Sequence, residues 1–208
     1  MNTERTNTGM GYWLAWVLAS IMGLVVGALL GMSVAYGLFD RDVFDATIGI
    51  TAGIVMGATA GYLQWVVLRE KIARAGGWVL AGALGFTTTF GTLGAIGIGE
   101  SNENYVMAGI LFAAVFGIAG GVLQWLVLRR AGIARAGLWV PASSFGSLVA
   151  AIGFPISSAI GATGNYGLSA VVFGLLLGAG LGAIPGAVLM WLLRQSTSSK
   201  IEGLAVAD

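Results

Sequence analysis

Between Gly49 and Arg69 the chain reads GITAGIVMGATAGYLQWVVLR, with glycine at Gly49, Gly53, Gly57 and Gly61. On a helix that spacing leaves one face bare. The stretch closes with Leu63-Gln64-Trp65 and Arg69, and the frame then returns. Gly109, Ala113, Gly117 and Gly121 lead into Leu123-Gln124-Trp125 and Arg129. Gly174, Gly178, Gly182 and Gly186 lead into Trp191 and Arg194, without the glutamine. Bare faces let helix backbones approach closely, a means of association that does not rely on the hydrophobic drive missing in lipid. The same glycines could line a channel or a sliding interface, but touching backbones leave little room for a pore, and tight packing is the reading adopted.

The charges decide the class. Only 9% of the 208 residues are charged and 57% are hydrophobic, whereas a soluble domain carries roughly 25% charged residues. Six uncharged spans, at about 12–37, 46–68, 77–98, 106–128, 138–160 and 167–193, predict an all-α polytopic membrane protein. The first, about 26 residues, would make a helix of roughly 39 Å against a hydrocarbon core of ~30 Å. Ser33-Val34-Ala35 offers the alternative of a signal-peptide cleavage site. Against it, Trp16-Val17-x-Ala19 with Gly23 returns as Trp78-Val79-x-Ala81 with Gly85 and as Trp139-Val140-x-Ala142 with Gly146. A first helix built like the third and fifth belongs to the mature fold.

One transmembrane domain, 1–208, is therefore expected, made of three two-helix hairpins at about 12–68, 77–128 and 138–194. Hairpins that all enter from one side imply pseudo-threefold order about the membrane normal. Even the turn Ile72-Ala73-Arg74-Ala75-Gly76 is copied as Ile133-Ala134-Arg135-Ala136-Gly137. Of the 10 Lys and Arg residues only Arg41 falls on the side opposite the rest, among Asp40, Asp42, Asp45, Glu100 and Glu103. Positive loops stay cytoplasmic, so the expectation is a multi-pass protein of the cell inner membrane with both termini cytoplasmic. The seven tryptophans, at Trp13, Trp16, Trp65, Trp78, Trp125, Trp139 and Trp191, fall at the cytoplasmic helix ends and predict an interfacial belt.

The tandem GxLQWxVLR segments and WVxA helix starts resemble a loose group of uncharacterised bacterial polytopic membrane proteins. The resemblance implies the topology and supplies no catalytic residue.

Gln64 and Gln124 are amides inside apolar spans. An unpaired amide is costly in lipid, so interhelical hydrogen bonding is expected, with a polar vestibule or headgroup contact as the alternative. In the third copy the equivalent position is Leu189, or Met190 with a one-residue shift. That copy also holds all 3 prolines, Pro141, Pro155 and Pro185. Pro185 should free the carbonyl of Leu181, marking an accommodated kink or a gate. The third hairpin is thus expected to be the specialised one, with a glutamine amide, or a water it holds, near Leu181 to Pro185.

Arg69, Arg74, Arg129, Arg135 and Arg194 form a basic collar that sets topology and meets lipid headgroups. Asp40, Asp42 and Asp45 lack the glycine and closing glutamate of a calcium loop. No Asp, Glu, Lys, Arg or His lies inside the spans, which argues against proton relays and ion-coupled transport. With 0 Cys and 0 His, thiolate chemistry and the usual transition-metal ligands are excluded. No catalytic, cofactor or metal residues are assigned, and net charge +1, confined to the ends of the apolar runs, gives no sign of nucleic-acid binding. Serines and threonines in the spans, such as Thr87-Thr88-Thr89 and Ser143-Ser144, have no base beside them and are expected to bond backbone. The expected function is a non-enzymatic structural, accessory or scaffold component among membrane lipids and other membrane subunits. A passive channel or transporter for a small neutral solute is the alternative. The topology is testable: a reporter fused after Asp208 should be active only in its cytoplasmic form, and activity confined to the outer side would overturn it.

Overall fold

In a computed structural model of the chain, residues 9–39, 44–72, 75–98 and 104–205 are described, with side chains as far as residue 196. Six helices follow in order: α1 (Met10–Leu38), α2 (Ala46–Leu68), α3 (Gly77–Ala95), α4 (Tyr105–Arg130), α5 (Ala136–Gly161) and α6 (Tyr166–Ala205). No strand occurs among the described residues. Five helices are long and apolar enough to cross a membrane, one fewer than the six spans expected. The exception, α3, carries no charge, but five glycines and four threonines in its 19 residues dilute its apolar character. At 40 residues α6 is roughly 60 Å long, so its last turns run beyond a ~30 Å hydrocarbon core.

Two helices are irregular. In α4 the residues Phe116–Gly120 form a π turn, although α2 shares the small-residue spacing and stays α-helical throughout. In α5 a 3-10 turn, Ala136–Leu138, precedes the segments Trp139–Ala150 and Gly153–Gly161. The break has a local cause. Pro155 has no N–H to offer the Ala151 carbonyl four residues back, and Phe154 N donates to that oxygen instead at 3.1 Å. At the start of α2, Asp45 Oδ1 accepts from Ile48 N at 2.9 Å, so this carboxylate caps a helix. Asp40, Arg41, Asp42, Arg74, Glu100 and Glu103 lie outside the described residues.

Each helix packs antiparallel on the next, and α6 returns to α1, closing a ring. The approaches are backbone to backbone. A methyl group placed on Gly53 of α2 would lie 2.7 Å from Phe86 O of α3. On Gly117 of α4 it would lie 2.8 Å from Ser144 Cα of α5, and on Gly174 of α6 2.5 Å from Val25 Cα of α1. Gly49, Gly57, Gly61, Gly109, Gly121, Gly178, Gly182 and Gly186 sit at the same three contacts. Inside the ring, Phe86, Phe90, Phe112, Phe116 and Phe154 pack ring on ring, with centroids 4.5–6.5 Å apart.

Two alanine substitutions should therefore act in opposite directions. Gly57→Ala puts a methyl against the Gly82 carbonyl and should cost about 1–3 kcal/mol through overpacking. Gly37→Ala meets nothing within 4 Å and should be neutral or stabilise by about 0.4–1 kcal/mol. Thermal unfolding in detergent compares the two, and equal effects would show that the approach does not limit stability.

Candidate functional site

Helical phase puts Trp16, Ser20 and Gly23 on one face of α1. The same phase aligns Trp78, Gly82 and Gly85 on α3, and Trp139, Ser143 and Gly146 on α5. These faces point inward. Trp16, Trp78 and Trp139 are 0%, 0% and 1% exposed and meet edge to face at the ring's centre, with pairwise centroid distances of 5.6, 6.2 and 5.2 Å. Three of the seven tryptophans thus leave the expected interfacial belt for the core. A tryptophan near a helix end suits an interface or an interior equally well, and only its phase relative to Gly23, Gly85 and Gly146 distinguishes them.

Each buried indole carries one N–H that needs an acceptor. Trp78 Nε1 donates to Gln64 Oε1 at 2.8 Å, and Trp139 Nε1 donates to Gln124 Oε1 at 3.0 Å. Gln64 Nε2 also donates to Ser20 Oγ at 3.0 Å, while Ser20 Oγ donates to Trp16 O at 2.9 Å. Gln64 therefore ties three consecutive helices, α1, α2 and α3, and Gln124 ties α4 to α5. Both amides are buried, at 7% and 6% exposure. They line one cavity together with Leu181 and Pro185 of α6, yet the hydrogen bonds of Gln64 go to Trp78 and Ser20, not to the Leu181 carbonyl.

The third tryptophan is different. Trp16 Nε1 is buried with no hydrogen-bond partner, and so is Ser143 Oγ. On α6 the position matching Gln64 and Gln124 is Leu189, fully buried in the same apolar cluster as Trp16. Gln64 serves the tryptophan of the next helix and the serine four residues after the tryptophan of the preceding one. With α6 closing onto α1, a glutamine at 189 would serve Trp16 and Ser143 in the same way. The two unpartnered atoms belong to the residues that correspond in sequence position to the two partners of Gln64. The threonines of α3 raise no such question, because Thr87 and Thr89 donate to the carbonyls of Ala83 and Gly85.

The cavity beside these atoms offers about 20 Å³ to the centre of a water-sized sphere. Trp16, Trp139, Phe86 and Phe116 line it together with the polar residues Gln64, Gln124 and Ser143. Pro141 lies in the first turn of the Trp139–Ala150 segment of α5, and the Pro185 ring packs on Gly146, where an added methyl would lie 2.9 Å from its Cδ.

The collar lies apart from this centre. The exposed guanidiniums of Arg69, Arg129 and Arg135 sit over the rings of Trp65, Trp125 and Trp191 at 5.2, 5.4 and 5.8 Å. Arg194 is exposed on α6, and Arg74 lies outside the described residues. No family model, curated protein or solved structure matches the chain.

Gln64→Leu should copy the third site into the first by leaving the Trp78 N–H without its acceptor. The expected loss is about 1–2 kcal/mol, between the 1–3 of a buried unsatisfied group and the roughly 0.6 average for membrane hydrogen bonds. Thermal unfolding of Gln64→Leu beside the parent protein measures it, and an unchanged midpoint would remove Gln64 from the interactions that hold the ring.

Proposed function

We propose that the chain is a non-enzymatic integral membrane protein acting as a structural, accessory or scaffold component of a larger membrane complex. In this reading all six helices cross the bilayer, as three copies of a two-helix hairpin about a pseudo-threefold axis. The repeated contacts of α2 on α3, α4 on α5 and α6 on α1, each through a glycine row, support the hairpin equivalence. The position of α3 inside the closed ring supports its crossing with the others despite its threonines. The basic residues around α2, α4 and α6 support an inner-membrane protein with both termini cytoplasmic, whose exposed arginines meet anionic lipid headgroups beside their tryptophans.

One observation carries the component reading: the middle of the ring is filled. Trp16, Trp78 and Trp139 meet edge to face there, and Phe86, Phe112 and Phe116 pack against one another. The polar residues lining the cavity favour the alternative, a passive path for a small neutral solute, but a path would have to part both sets of aromatic contacts. Two measurements separate the readings. Vesicles carrying the purified protein should shrink at the protein-free rate under water, urea and glycerol gradients, and a protein-dependent rise would favour the channel. Gentle extraction from native membranes should give a hetero-oligomer well above the 21.2 kDa of one chain. Migration as the lone chain would overturn the component reading.

A further inference from the structure

We propose that the cavity under the tryptophan triad is a binding site for one water molecule, which takes the place of the glutamine that the third hairpin lacks. Trp16 and Ser143, 0% and 2% exposed, are both among the residues around the cavity, and Trp16 Nε1 and Ser143 Oγ both lack a partner in the protein. An indole N–H can only donate, and a hydroxyl can donate or accept. Their common ligand must therefore accept from Trp16 while exchanging a hydrogen bond with Ser143. A neutral molecule with both capacities meets that demand, and no charged group lines the cavity to hold an ion. Size then selects water. The cavity offers about 20 Å³ to a water centre, and one water needs at least roughly 10–15 Å³ by that measure, together with two to four polar partners. Gln124 is a further polar residue of the lining.

The site has a structural logic. In the first hairpin a side-chain amide spans from the Trp78 N–H to the Ser20 hydroxyl. In the third, Leu189 occupies the amide's position and cannot bond either group. Water supplies what leucine cannot, an acceptor for one end and a donor for the other. The inference stands on these two atoms and the cavity, so it holds whether the protein is a scaffold or a channel.

Indole-¹⁵N-labelled protein in lipid nanodiscs tests it through magnetisation transfer from water to each indole proton. Trp16, identified by loss of its signal in Trp16→Phe, should show transfer from a long-lived water at least threefold above Trp78, whose N–H is held by Gln64. Trp16 transfer no greater than that of Trp78 would mean a dry cavity and would overturn the proposal. Ser143→Ala, which removes only a hydroxyl, should reduce the Trp16 transfer by about half or more, and no reduction would remove Ser143 from the site. Leu189→Gln should abolish the transfer as the amide takes over both atoms. A folded Leu189→Gln protein that keeps the full signal would sever the link between the water and the missing glutamine.

Discussion

In the core of a bilayer, helices gain nothing by hiding apolar side chains from one another, because lipid tails are as apolar as leucine. Attraction has to come from dispersion between close atoms and from the few polar groups that can meet. Here the close atoms are backbone atoms. Glycines on α2, α4 and α6 lie so near the backbones of α3, α5 and α1 that a single methyl group would collide with them. The ring can close only because those positions carry no side chain.

Close approach brings the helix starts together and forces three large side chains into one small volume. Trp16, Trp78 and Trp139 fill it edge to face, which suits the opposite signs of an aromatic face and rim. The arrangement creates its own difficulty, because three N–H groups are buried where no bulk solvent reaches them. Gln64 and Gln124 answer for two and Leu189 does not answer for the third. The last two helices also differ in their backbone or sequence, with a break ahead of Pro155 in α5 and Pro185 within α6. Asymmetry in sequence thus becomes a local asymmetry in chemistry, among residues around a small cavity.

That centre bears on function through stiffness. Hydrogen bonds from two of the indoles link consecutive helices, and the phenylalanines pack ring on ring, so in the proposed reading a solute path would have to part both sets of contacts. The outer surface offers apolar side chains such as Leu18, Ile54, Leu84 and Phe145. The basic end offers arginines stacked on tryptophans, a combination suited to the headgroup region.

By itself the sequence determined the all-α class, the positions of the uncharged runs and the residues able to sit at close helix contacts. These depend on local spacing, four residues for the glycine rows and long uncharged runs for the spans. It also singled out Gln64 and Gln124, because an amide in an apolar span must find a partner. Which partner was decided only by tertiary structure, since Trp78 and Trp139 lie on the following helices and Trp16 is reached only when α6 closes onto α1. The burial of the three indoles was present in the phase of Trp16, Ser20 and Gly23, but a tryptophan near a helix end satisfies an interface and an interior by the same local pattern. The π turn in α4 had no local signature, because α2 carries the same spacing without it. The orphaned Trp16 N–H and Ser143 hydroxyl required the ring as well: they lie on α1 and α5, far apart in sequence, and an unpartnered group is visible only against the neighbours packed around it.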